Sequence, residues 1–293
     1  MKRTRTILMY ARSRGGKTSL IGELALHLME TTGKPSLVNS IDKGGIGPIQ
    51  PLVDLGVIEL VEQLNTDPWI FMNKISTGQT RDERGKWVKA DLSKYAMIAN
   101  ESLTGFSDAF MNDLAAKAAN GVNIGGSGNV SFSVSGDDTT MKIGANNMSH
   151  YNVVQNRILD EVWRSQKLEV PYLIWTAGAS RDDDPNSSGK VIGPAIAGKA
   201  LTAEMLRNFD LTFRLDCIPA RGTAQEKHIL YLGNSFDIAA GNAVSLGNTR
   251  IPLVPGMKPL PSTLEPASLV KALQLIEAAE VEAKTLIQKR LKK

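Results

Sequence analysis

The apolar run Ile7-Leu8-Met9-Tyr10, the eight residues ARSRGGKT (11–18) and the stretch SLIGELALHLME stand end to end near the start of the sequence. A short apolar run, a glycine-bearing turn and a helix-period segment read as strand, tight loop and amphipathic helix. In such a unit consecutive backbone N–H groups point into a concavity at a helix N-terminus, where the helix dipole adds to their attraction for an anion. The pattern that cradles a triphosphate is G-x-x-x-x-G-K-[ST]. Here Ala11 takes the first position, and Gly16, Lys17 and Thr18 match the rest. Ala11, Arg12, Ser13, Arg14, Gly15, Gly16, Lys17, Thr18 and Ser19 are therefore expected to line a nucleotide. Lys17 would reach its β- and γ-phosphates, and the Thr18 hydroxyl would be a ligand of Mg²⁺. The alternative is a glycine turn before a helix that carries Lys-Thr by coincidence.

The chain beyond this unit has the pattern of a parallel α/β domain. KPSLVNSIDKGG reads as a strand over Ser36 to Asn39 and a turn at Gly44 and Gly45. VDLGVIELVEQL supplies a helix end and another strand, residues 73–93 a polar surface excursion, and YAMIANESLTGFSD a buried strand over Ala96 to Ala99 before a long helix. Strand and helix in alternation predict a mostly parallel central sheet flanked by helices. Residues 121–150 are loaded with Gly, Ser, Asn and Thr. NVSFSVS and TTMKIG form either a β-hairpin arm across Gly136-Asp137-Asp138 or a disordered loop. YNVVQNRILDEVWRSQKL resumes helical periodicity, with Val153, Val154, Ile158, Val162 and Trp163 expected on its buried face. VPYLIWTAG reads as a strand, SRDDDPNSSGK as a polar loop, LTAEMLRNF as a helix, DLTFRLDCI as a strand and KHILYLG as a final antiparallel edge strand. The division predicted is one domain over 1–260, with 121–150 as an inserted arm or a flexible loop, and a basic helix over 261–293. Leu269, Leu273, Ile276 and Leu286 of that helix are expected to pack on the domain.

A triphosphate cradle needs two carboxylates nearby, one holding Mg²⁺ through water and one orienting the attacking water. Glu101 lies just past the strand over Ala96 to Ala99, and Asp42 just past the strand after the cradle helix, at the same sheet edge as the loop. Either could be the general base.

Bulk properties exclude more than they assign. The 293 residues are 42% hydrophobic, enough for a well-filled core, and 34 Lys and Arg against 30 Asp and Glu leave a net charge of +4, which permits a nucleic-acid partner. The single cysteine, Cys217, is expected to exclude an internal disulfide framework and a cysteine-based zinc site, and reads as a small core residue of a cytoplasmic protein. His27, His150 and His228 lack metal-binding spacing and are expected at the surface. The opening MKRTRTILMYARS has too short an apolar run for a signal peptide, and no segment approaches a membrane span.

Taken in order, MYARSRGGKTSLIGELA, SLVNSIDKGG, YAMIANESLTGFSD, YLIWTAG and GPAIAGKALTAEMLRNFD resemble the phage-encoded P-loop ATPases of the AAA_24 type, relatives of the RecA-like recombination ATPases. The resemblance spans roughly residues 5–216. It rests on Asp42 with Gly44 and Gly45, on Glu101-Ser102-Leu103-Thr104, on Thr176-Ala177-Gly178, and on Pro194, Gly198, Lys199, Leu201 and Phe209-Asp210. Two positions depart from it, with Glu101 in place of aspartate and Gly178 in place of a polar residue that could sense the γ-phosphate.

The resemblance implies an α/β RecA-like P-loop fold that binds ATP and Mg²⁺ in the cytoplasm of a phage-infected bacterial host. It also implies a homo-oligomer, ring or filament, in which a neighbour lends a cation to the transferring phosphate; Lys199 leads Arg181, Lys190 and Arg207 for that role. Single-stranded DNA is the further partner implied, for an ATPase of recombination, repair or replication. A nucleotide-binding assembly or structural protein of a phage, with little or no turnover, is the alternative.

Overall fold

The computed structural model describes residues 4–42, 44–64, 66–119, 131–134, 141–144, 148–183, 190–197, 205–218, 226–233, 235–237, 243–245, 248–250 and 254–292. In chain order the elements are β1 (Arg5–Ala11), α1 (Lys17–Thr32), β2 (Ser36–Ser40), α2 (Gln50–Asp54), β3 (Ile58–Glu62), α3 (Pro68–Ser76), β4 (Gln79–Arg81), β5 (Trp87–Lys89), β6 (Met97–Glu101) and α4 (Leu103–Ala119). Then come β7 (Ser131–Val134), β8 (Met141–Gly144), α5 (Met148–Ser165), β9 (Tyr172–Asp183), β10 (Lys190–Ala195), β11 (Leu211–Ile218) and β12 (Lys227–Tyr231). The remainder are β13 (Ser235–Asp237), β14 (Ala243–Ser245), β15 (Asn248–Thr249), β16 (Thr263–Leu264) and α6 (Leu269–Leu291).

Six parallel strands in the order β3-β2-β6-β9-β1-β11 form the centre of the main sheet. β12 and β15 add antiparallel to β11, and β16 antiparallel to β12, while β10 folds back antiparallel on the far half of β9. The class is α/β, with a mixed, mostly parallel sheet flanked by helices.

Strand alternation explains the two cores. Ile7, Met9 and Ala11 of β1 face a core shared with α1 and α6, whereas Leu8 and Tyr10 face one shared with α3, α4 and α5. Both faces of β1 are covered, so Ile7 through Ala11 read as one apolar run rather than an alternation. α1 ends where Gly33, at φ 69, turns the chain into a left-handed conformation and donates its N–H to the Met29 carbonyl.

Several expectations are corrected. The strand carrying Glu101 includes it, as the last residue of β6 rather than one beyond the strand. SRDD is strand rather than loop, because β9 outruns its parallel neighbours and Ala179–Asp183 pair instead with β10. β12 is antiparallel as expected but not an edge, since Thr263–Leu264 covers it. On α5, Val154, Ile158 and Val162 are buried, but Val153 and Trp163, each rotated about 100° from that stripe, are exposed. His150 on the same helix is buried rather than at the surface. Cys217, expected in the core, is only partly buried, because it lies where β11 runs out of the sheet's covered centre. The tail becomes helical only at Leu269, capped by the Ser268 hydroxyl that accepts from the Lys271 N–H.

Leu269, Leu273 and Ile276 are buried against α1, while Leu286 is only half-buried. At roughly 1.5–3 kcal/mol for each fully buried side chain, three such residues suffice to dock α6. In the arm, β7 and β8 pair antiparallel with Ser131 opposite Gly144, as the hairpin reading requires, and the turn Gly136-Asp137-Asp138 lies outside the described residues.

Candidate phosphate-loop site

β1 delivers the loop at the carboxyl edge of the parallel strands. The Gly15 N–H donates to the Arg12 carbonyl at 3.1 Å, and Arg14 at φ 60 with Gly16 at φ 94 curls the chain back into α1. A Cβ on Gly15 would lie 2.8 Å from the Ala11 Cβ and 3.0 Å from the Arg12 oxygen. The tight approach is therefore made possible by Gly15, and the alanine at position 11 fits against it. Gly16 caps α1 with no side-chain hydrogen bond to the first turn. Among the described residues no side chain caps that turn, and its N–H groups are of the kind that attract an anion. Arg12, Ser13, Arg14 and Ser19 are exposed, and Thr18 points inward and is buried.

β6 brings Glu101 to that buried end. The Thr18 hydroxyl donates to Glu101 Oε1 at 2.6 Å, while Glu101 Oε2, also buried, has no hydrogen-bond partner among the described residues. Burial raises the Glu101 carboxyl above its ordinary range, against the Thr18 hydrogen bond and the Lys17 charge that lower it. Burial likewise lowers the Lys17 ammonium, which Glu101 and then Asp42 partly offset. The loop lysine thus shares its field with both carboxylates singled out in the sequence.

Asp42, exposed at the end of β2, accepts a hydrogen bond from the Ser102 hydroxyl at 3.0 Å, and that hydroxyl accepts the Gly105 N–H at 3.0 Å. Asp108, one turn along α4, is also pushed up, first by burial and then by Asp42. On β9, Thr176 is buried with its hydroxyl unpartnered among the described residues. The β6–β9 register pairs Asn100 with Trp175, so Thr176 stands one step on, beside Glu101. Gly178 donates its N–H to the Thr104 hydroxyl at 2.7 Å.

Ala11 through Ser19, Asp42 and Glu101 are therefore gathered at one sheet edge. Arg181 and Lys190 fall on β9 and β10, and Lys199 lies outside the described residues. Arg207 is exposed near Thr4, Thr6 and Asp210, at the opposite end of the parallel strands from the loop. Ser102, Thr104 and Gly105 stand out in the sequence only as part of a motif; their work as holders of Asp42 and Gly178 shows only in the contacts. Among the described residues, no helix is long and apolar enough to cross a membrane.

A scan against protein-family models and a search of curated proteins found no match to this chain.

Proposed function

We propose that the chain is a RecA-like P-loop ATPase that binds ATP with Mg²⁺ on the Ala11–Ser19 loop and hydrolyses it. The observation that carries this reading is the Thr18–Glu101 contact at 2.6 Å, with the second Glu101 oxygen buried and unpartnered among the described residues. A buried polar atom without a partner is costly, and a carboxylate whose other oxygen is bonded to the first turn of α1 suits a bound cation and its water shell. The strand order adds support, since the parallel sheet sets β6 and β1 on either side of β9 with their carboxyl ends together.

The loop amides and Lys17 hold the phosphate chain. Thr18 and Glu101 are the residues that would hold Mg²⁺, which when bound neutralises charge on the phosphate oxygens. With Glu101 engaged by Thr18, Asp42 is assigned to orient the attacking water, and Ser102 fixes its carboxylate. Thr176 supplies a buried hydroxyl beside Glu101, a polar group at the strand end where Gly178 has none.

A second reading is a nucleotide-binding assembly protein with slow turnover, favoured by the bare Gly178 and by the Thr104 hydroxyl being tied to it. Homo-oligomers and single-stranded DNA are the partners to test. ATP turnover with and without single-stranded DNA, for wild type and Lys17→Ala, separates the readings. The ATPase reading expects DNA-stimulated turnover that falls about 100-fold in Lys17→Ala, the scale seen when one preorganised donor to a transition-state charge is removed. Tight binding without turnover supports the second reading. Unchanged nucleotide affinity in Lys17→Ala defeats both.

A further inference from the structure

The antiparallel pair β11–β12 brings three residues together that the sequence keeps apart. Cys217 stands directly opposite His228, and Glu226 lies two residues before His228, hence on the same face. The Cys217 thiol donates to Glu226 Oε1 at 2.9 Å, and His228 Nε2 lies 3.0 Å from the same oxygen. Their ligand atoms all lie within 4.8 Å of one another.

We propose that Cys217 Sγ, Glu226 Oε1 and His228 Nε2 form a binding site for a zinc-class divalent metal, with a fourth position open to water. The donor set combines a soft sulfur, an imidazole and a carboxylate, which suits Zn²⁺ and is foreign to Mg²⁺. Tetrahedral zinc spaces such donors about 3.4–3.6 Å apart. The two short contacts open by about half an ångström, through the exposed Glu226 side chain, while Sγ and Nε2, which lie within 4.8 Å, close by up to about 1.3 Å through rotation of the half-buried Cys217 and His228 side chains. Two protons now hold the cluster together, and a metal replaces them. The thiol S–H proton leaves to solvent as Sγ binds, and the imidazole proton between Nε2 and Glu226 passes to Nδ1 by exchange with solvent, so that Nε2 is free to bind.

The proposal revises the expectation that one cysteine precludes a cysteine-containing zinc site and that His228 has no ligand spacing. Cys217 and His228 are matched by strand register rather than by a motif.

The site adjoins the phosphate loop but does not depend on its reading. A Cβ on Gly16 would lie 3.4 Å from His228 Nδ1 and 3.5 Å from Leu215 Cδ2, so the ring that would carry metal on one nitrogen faces the loop with the other. A metal there fixes that ring and ties β11 to β12 beside the loop.

The test uses the full chain, reduced and stripped with a chelator, titrated with Co²⁺. A thiolate-to-cobalt charge-transfer band that saturates at one equivalent is expected, lost in Cys217→Ser and shifted to at least tenfold weaker affinity in His228→Gln. Lys17→Ala keeps the band, which separates this site from the phosphate loop and from the fate of the ATPase reading. Absence of the band in wild type, or its persistence in Cys217→Ser, overturns the proposal. Should Cys217→Ser misfold, zinc-edge X-ray absorption on the wild type decides. One sulfur at about 2.3 Å supports the site, and a shell of nitrogen and oxygen only rejects it.

Discussion

Glu101 and Lys17 are each disfavoured, in the charged form that the proposed phosphate chemistry needs, by the burial that holds them in place. For Glu101 the sign comes from its raised carboxyl. Above the ordinary glutamate range near pH ~4.3 the unfolded chain releases a proton that the folded chain retains, so this group's contribution to stability declines as pH rises towards its folded value. Glu101→Gln removes the decline. Its melting temperature should match wild type at pH ~4 and exceed it increasingly towards neutrality, while Mg²⁺-dependent turnover falls. A melting-temperature gain that is flat across pH would show that ionisation of Glu101 is not what destabilises the site. Lys17 has the opposite sign. Its lowered ammonium means that the unfolded chain binds the extra proton at alkaline pH, so its contribution recovers as pH climbs towards the ordinary lysine value of 10.5.

At the scale of elements, α4 holds Asp42 in place through its first turn. A Cβ on Gly105 would sit 2.7 Å from Asp42 Oδ1 and 2.7 Å from Ile41 Cγ2, so both side chains would have to turn aside, Asp42 away from the Ser102 hydroxyl that holds it. Gly105→Ala should destabilise the fold by about 1–3 kcal/mol in denaturant titration and lower turnover more than it lowers nucleotide affinity, because Lys17 and the loop are untouched. Trp175, fully buried on β9 with its indole N–H given to Ser165 Oγ at 3.1 Å, is the packing counterpart. Trp175→Ala should cost about 3–5 kcal/mol in the same assay. The unit β1, loop and α1 was legible in the sequence because apolar run, glycines and helix period agree there, and Asp42 and Glu101 were legible because parallel strands put their carboxyl ends together. The far half of β9 was not. Its residues Ser180 to Asp183 are polar, and their strand conformation comes from pairing with β10 rather than from any pattern of their own. Val153 and Trp163 were misplaced for a related reason, since an apolar side chain beside the buried stripe of α5 looks like part of it until the packing partner is known.

For the whole molecule, the proposed ligand should act as a brace. A nucleotide at 100 times its dissociation constant adds about 2.7 kcal/mol to the folded state alone. In a chain of 293 residues this corresponds to a rise of about 5 °C in the wild-type melting temperature with ATP and Mg²⁺, and none in Lys17→Ala. The sheet that would transmit this was legible as a class, but its order was not, because β1 finds its neighbours at great separation, Ile7 pairing with Ile174 on one side and with Leu211 on the other. That arrangement governs the order of assembly during synthesis. β1 is made before both of the strands that flank it, so a nascent polypeptide carries the proposed phosphate loop without walls until β11 has emerged, and the proposed nucleotide can report only on chains whose translation has passed Ile218.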